Sequence, residues 1–137
     1  MEQSPKTLTF VVPAYNMETY LERCVESLLS ATDNSDIEVL IVDDGSSDGT
    51  PELADMYERR WPGNVRAIHQ VNKGHGGAVN TGIANATGMY VKVVDADDWV
   101  DMPSIDTLMG TLRVQRVATD PVDMIVTNYV YDKVGKR

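Results

Sequence analysis

Short apolar runs rich in β-branched residues alternate along this chain with stretches whose apolar positions recur at helical spacing. Leu8 to Val12, closed by Pro13, is the first such run, and Ile37 to Val42, Val65 to Ile68, Met89 to Val94 and Val122 to Val126 repeat it. Together they predict five strands. Between the first two, Leu21, Cys24, Val25, Leu28 and Leu29 stand at i, i+3, i+4, i+7 and i+8, one face of a helix. Leu53, Met56, Tyr57 and Trp61 predict a second helical face, Val79, Gly82, Ile83 and Ala86 a third, and Ile105, Leu108, Met109 and Leu112 a fourth. Asn16 reads as a start signal for the first helix, Thr50 and Pro51 as N-cap and N1 of the second, and Gly88 as the stop of the third.

The order is β-α-β-α-β-α-β-α-β. Near-continuous apolar strands alternating with amphipathic helices predict an α/β fold, a mainly parallel sheet flanked by helices on both faces with right-handed crossovers. Ligands of such open sheets sit beyond the carboxyl ends of the strands. Three segments then share that edge: Pro13-Ala14-Tyr15-Asn16, the acidic turn from Asp43 to Asp48, and Asp95-Ala96-Asp97-Asp98.

Composition narrows the picture. At 137 residues with 42% hydrophobic and 24% charged positions, the chain predicts a single folded domain over 1–137. Its longest apolar runs fall far short of the ~18 residues of a membrane span, and no signal-peptide pattern opens it. One cysteine, Cys24, fits a reducing compartment, so a cytoplasmic location is expected. A net charge of -9 with 12 scattered basic residues argues against nucleic acid as a partner.

The negative charge is concentrated. Asp43, Asp44 and Asp48 crowd one turn, and Asp95, Asp97, Asp98 and Asp101 another. Crowded carboxylates repel one another unless a cation compensates, and a divalent ion such as Mg²⁺ or Mn²⁺ is typically shared between one or two carboxylates and a substrate's phosphates. In extended backbone alternate side chains share a face, so Asp95 and Asp97 can converge. Taken alone, the triplet reads equally as a solvated loop. Gly45, after Asp43 and Asp44, permits a tight turn and close approach of a ligand. A carboxylate there can accept from the ring N–H of a base or from ribose hydroxyls, while Ser46, Ser47, Asp48 and Thr50 suit a helix-capping turn. Tyr15 suits one wall of a pocket for a flat base. Asn72-Lys73-Gly74-His75-Gly76-Gly77 precedes the third helix, where backbone N–H groups and Lys73 can meet a phosphate, though the run fits neither a P-loop nor a dinucleotide fingerprint. Cys24, Met56, Met109 and Met124 take core spacings. His69 reads as structural, and His75 as at most a phosphate neighbour.

Taken together, Val11-Val12-Pro13-Ala14-Tyr15-Asn16, Val42 to Thr50, Asn72-Lys73-Gly74 with Asn80-Thr81-Gly82, and Val94-Asp95-Ala96-Asp97-Asp98 resemble glycosyltransferase family 2, whose members have the Rossmann-like GT-A fold and use nucleotide-diphospho-sugars. The resemblance covers nearly the whole chain. It implies that Pro13, Ala14, Tyr15 and Asp44 contact the nucleoside, that Glu18 lies near the pocket, and that Asp95, Asp97 and Asp98 form the family's DXD region. A divalent metal, Mn²⁺ or Mg²⁺, would bind there, with Asp97 and Asp98 favoured. The expected donor-site set is Pro13, Ala14, Tyr15, Glu18, Asp43, Asp44, Lys73, Gly74, Asp95 and Asp97. The implied reaction is an inverting transfer of sugar to an acceptor hydroxyl, with a saccharide or lipid-linked saccharide as acceptor. It belongs to cell-surface polysaccharide synthesis and places the intact enzyme peripherally at the inner face of a membrane.

No residue present matches the family's general base, which lies on a segment well beyond the DXD region. The chain is therefore expected to be the donor-binding part of a longer enzyme, and a non-catalytic nucleotide-sugar-binding fragment is the alternative. A receiver-like phospho-acceptor domain is a weaker one, suggested by Leu40-Ile41-Val42-Asp43-Asp44.

Overall fold

A computed structural model describes residues 6–118. Its elements, in order, are β1 (Leu8–Ala14), α1 (Leu21–Leu28), β2 (Ile37–Asp44), α2 (Thr50–Arg60), β3 (Val65–Gln70), α3 (Gly74–Asn85), β4 (Tyr90–Val93) and α4 (Met102–Arg116). The fifth strand expected over Val122 to Val126, and Met124 within it, lie outside the described residues.

The four strands form one parallel sheet in the order β3-β2-β1-β4. The chain builds outward from β1 to β3, then crosses back to lay β4 on the other side of β1. That reversal of direction is where open α/β sheets bind ligands. Every residue of β1 and β2 is buried, as expected of strands covered on both faces. One face carries Leu8, Phe10, Val12, Ile37, Val39 and Ile41 against Leu21, Cys24, Val25 and Leu28 of α1, Ala54 and Tyr57 of α2, and Ile105, Met109 and Leu112 of α4. The other carries Val11, Leu40 and Val42 against Ala78 of α3. Among the described residues no helix is long and apolar enough to cross a membrane.

Two charged groups are paired by hydrogen bonds, one buried within β2 and one just before its start. Buried Glu38 accepts from Thr9 Oγ1 at 2.8 Å, from the Thr87 N–H at 3.0 Å and from Arg66 Nε at 2.9 Å, which offsets the cost of burying a charge. At the far end Arg113 forks onto Asp36, with Nε 3.0 Å from Oδ2 and an Nη 2.7 Å from Oδ1. That pairing holds the Asp36 carboxyl down at about 2.

Four local expectations are corrected. Asn16 does not cap α1: the N-cap is Tyr20 without a side-chain bond, and Asn16 sits at φ 52 in the connecting loop. The cap of α2 is Gly49, one residue earlier than expected, so Thr50 and Pro51 are the first helical positions. The C-cap of α3 is Ala86, and Gly88 answers a different need. A Cβ there would lie 2.5 Å from the Thr9 backbone nitrogen and 2.8 Å from the Leu8 carbonyl carbon. Finally, α3 rests on the sheet through Ala78 and Gly82, while Ile83 is half exposed.

Candidate functional site

The carboxyl ends of β1, β2 and β4 and the start of α3 enclose a cavity of about 360 Å³. Pro13, Ala14 and Tyr15 enter it from β1, Asp44 from β2, Gly74 and His75 from the start of α3, and Asp95 and Asp97 from the loop after β4. Of the residues singled out from sequence, Glu18, Asp43, Lys73 and Asp98 do not line it. Met17, Asn72, Ala78 and Ala96 do.

Asp43 and Asp44 separate because neighbours on a strand point to opposite faces. Asp43 pairs in register with His69, and Asp44 with Gln70. On the α2 face, Asp43 accepts from the Ser46 N–H at 3.1 Å and lies 2.7 Å from His69 Nδ1, while His69 Nε2 lies 2.7 Å from Asp55 on α2. The Asp43 and Asp55 carboxylates together raise the pKa of His69 above its ordinary value. On the α3 face, Asp44 accepts from Gln70 Nε2 at 2.9 Å and from the Lys73 N–H at 2.7 Å. Burial works against its charge, but these bonds and the nearby Lys73 ammonium outweigh it and hold the carboxyl below the usual range.

The loops over the strand ends are laced together. The Asn16 N–H donates to Ser46 Oγ at 3.0 Å, and Asn16 Oδ1 accepts from the Ser47 N–H at 2.8 Å. The Met17 N–H donates to Thr50 Oγ1 at 2.8 Å and the Glu18 N–H to Asp48 at 3.2 Å. Gly45, at φ 72, abuts the β3–α3 loop so closely that a Cβ would lie 2.8 Å from the Asn72 nitrogen. Asn72 closes the contact, donating to the Asp44 carbonyl at 3.0 Å and accepting from the Gly74 N–H at 3.2 Å. Glu18 therefore lies on the α2 side of the site through its backbone, with its side chain exposed.

After β4, burial alternates: Ala96 and Asp98 turn inward, Asp95 and Asp97 are partly exposed. The loop is held from below, where Cys24 Sγ–H reaches the Asp95 carbonyl at 3.6 Å and Ser27 Oγ accepts from the Val100 N–H at 3.2 Å. Burial first, and then the three aspartates, push the Cys24 thiol far above its ordinary value, so it remains protonated. Asp95, Asp97 and Asp98 each offer a carboxylate oxygen, and these oxygens lie within 4.8 Å of one another. Opposite ligands of a six-coordinate Mg²⁺ stand about 4 Å apart. Adjacent ligands stand about 3 Å apart, so the three carboxylates would have to draw together to hold one small divalent cation. His75 Nε2 lies 3.8 Å from Asp95.

Asn72 and Gln70 stand outside the expected donor-site set, although Asn72 lines the cavity and Gln70 holds Asp44. Asn72 two before a glycine at φ 81 carried a turn signal, whereas Gln70 acquires its role only through register with Asp44.

A model of the family described as glycosyl transferase family 2 matches residues 9–135. Among curated proteins, this chain is 40% identical over 128 residues to glycosyltransferase GlyG of Streptococcus pneumoniae serotype 4, covering 92% of this chain and 40% of that protein. It is 38% identical over 106 residues to chondroitin synthase of Escherichia coli, covering 77% of this chain and 15% of that protein. Among solved structures, S. aureus TarS 1-349 in complex with UDP-GlcNAc superposes with a TM-score of 0.71 at 26% identity, over 80% of this chain and 32% of that one. Mannosyltransferase PcManGT from Pyrobaculum calidifontis, in complex with GDP-Man and Mn²⁺, gives 0.68 at 27% identity, over 80% and 34%. The chain thus spans well under half the length of these relatives.

Proposed function

The chain belongs to glycosyl transferase family 2, and from that premise we propose that its cavity binds a nucleotide-diphospho-sugar together with a divalent cation. The intact protein would transfer the sugar, with inversion, to a hydroxyl of a saccharide or lipid-linked saccharide in cell-surface polysaccharide synthesis. One observation carries this reading: Asp44 and the pair Asp95 and Asp97, from strands on either side of β1, line one cavity at the sheet's carboxyl edge. The nucleotide sugars named for two structural relatives, and the Mn²⁺ of one, support it.

In this reading Pro13, Ala14 and Tyr15 wall the base, with the half-exposed Tyr15 ring available for stacking. Asp44, ionised and fixed by Gln70 and Lys73, accepts from a base N–H or a ribose hydroxyl. Lys73 adds positive charge at the start of α3, where the helix end favours the diphosphate. Added Cβ atoms at Gly74 and Gly76 would meet nothing within 4 Å, so there is room for it. Asp95, Asp97 and Asp98 hold the cation, with Asp95 and Asp97 on the cavity side. A bound divalent ion supplies Lewis-acid stabilisation of the departing diphosphate. Asp43 acts at one remove, shaping the turn that presents Asp44, and Glu18 stays at the rim.

Thermal unfolding tests the proposal. The midpoint should rise with UDP or another nucleoside diphosphate plus Mn²⁺, and far less with either alone, by the equivalent of about 2.7 kcal/mol at a hundredfold excess over Kd. No rise with any nucleoside diphosphate would overturn it.

A further inference from the structure

A second cavity, of about 270 Å³, lies against the first, and Asp97 lines both. Its other walls are Thr19 and Tyr20, which lead into α1, Arg23 in the first turn of α1, and Trp99 two residues beyond Asp97. The Arg23 guanidinium carbon stands 4.4 Å from the centroid of the Trp99 ring, a cation–π arrangement. In a chain of net charge -9, Arg23 forms no salt bridge with a carboxylate among the described residues. A guanidinium held over an indole keeps its planar fork of N–H donors available at little further entropy cost.

We propose that this second cavity seats the acceptor sugar ring, and that Arg23 selects acceptors carrying an anionic group, a carboxylate or a phosphate, on or next to that ring. The inference rests on the first cavity being the donor site. Group transfer requires both substrates to reach one centre, and Asp97, on the boundary of the two cavities, marks where they meet. The chemistry of the walls suits a sugar: an indole for the apolar C–H face, hydroxyls from Thr19 and Tyr20 for hydrogen bonds, and no run of aliphatic side chains. The charge suits an anion, because the neighbouring aspartates repel one and Arg23 is placed to compensate. Arg23 and Trp99 here are specificity residues and take no part in bond making.

The test follows the Trp99 indole N–H resonance, assigned by comparison with a Trp99→Phe variant, while sugars are added in the presence of Mg²⁺. Methyl glucuronide offers the carboxylate, glucose 6-phosphate the phosphate, and methyl glucoside neither; inorganic phosphate alone shows whether the ring is needed. At least one anionic sugar should shift the resonance saturably at a concentration fivefold or more below that of the neutral glycoside and of phosphate, and Arg23→Gln should erase the difference. Which of the two anionic sugars binds identifies the acceptor's charge. The proposal is overturned if all three sugars act alike, if none shifts the resonance, or if the preference survives Arg23→Gln. Titration of UDP with Mg²⁺ on the same sample reads the donor site separately, so loss of UDP binding and loss of sugar preference count against different statements.

Discussion

Replacing Gly82 by alanine tests how α3 is set on the sheet. The helix lies close because Ala78 and Gly82, one turn apart, face Val11 and its neighbours. A Cβ at position 82 would stand 2.2 Å from Val11 Cγ1, 3.0 Å from Cγ2 and 3.2 Å from Cβ. Val11 is fully buried in a central strand and, being β-branched, has little rotamer freedom with which to yield. Overpacking of a close-packed interior costs about 1–3 kcal/mol, and a contact to such an immobile side chain belongs in the upper part of that range. Exchanging glycine for alanine inside a helix returns about 1 kcal/mol, so a net loss of about 1–2 kcal/mol is expected. Gly110 supplies the reference. It lies inside α4, is exposed, and a Cβ there would meet nothing within 4 Å, so Gly110→Ala should gain about 1 kcal/mol. Equilibrium urea unfolding at neutral pH should then separate the two variants by roughly 2–3 kcal/mol, with unchanged slopes. Because the start of α3 carries Gly74 and His75 into the cavity, Gly82→Ala should also weaken UDP binding, and Gly110→Ala should not. Equal stabilities for the two variants would refute the reasoning.

His69→Gln should destabilise the protein in a pH-dependent manner. The folded pKa of His69 is raised, so the contribution is fully present below the unfolded value of about 6.5 and disappears as pH rises through the folded one. Urea midpoints between pH 5 and 8 should show wild type and variant converging toward the alkaline end; a constant gap would contradict this. Arg113→Leu should behave in the opposite sense. Asp36 is held at about 2 by Arg113, so the gap should be full above the unfolded value of about 3.9 and should close as pH falls toward 2, in acid-unfolding curves at fixed urea. Asp97→Asn combined with Asp98→Asn should abolish Mn²⁺-dependent UDP binding in calorimetry while leaving the fold intact by circular dichroism, and an unchanged affinity would count against the acidic loop as the cation site.

Much of the architecture was legible because β1 and β2 are buried on both faces and so read as unbroken apolar runs, and because α1 shows its buried stripe without interruption. The misreadings have a common physical source. Periodicity detects hydrophobic side chains, whereas α3 docks through Ala78 and Gly82, where the absence of side-chain volume brings the backbones together. The same pattern therefore assigned to the core an Ile83 that is half exposed. Asn16 carries a capping residue's chemistry but spends it across the loop on Ser47. In the site, the segments that supply chemistry could be read from their position after the strands. Inside the acidic clusters Asp44 could be assigned to the nucleoside and Asp95 and Asp97 to one face, whereas the places of Asp43 and Asp98 could not be read. Asp43 and Asp44 diverge by strand alternation, one toward His69 and the other toward the cavity, and Asp98 turns inward where Asp95 and Asp97 do not. Those outcomes depend on register with β3 and on packing against α1, which are long-range contacts.

The central claim, that the acidic loop and Asp44 serve one ligand, is tested most directly by the anomalous signal of manganese in a crystal soaked with UDP and Mn²⁺. A peak should appear among the carboxylates of Asp95, Asp97 and Asp98, with the diphosphate toward the start of α3 and the base between Tyr15 and Asp44. UDP bound at another edge of the sheet, or in this cavity with manganese elsewhere, would contradict it.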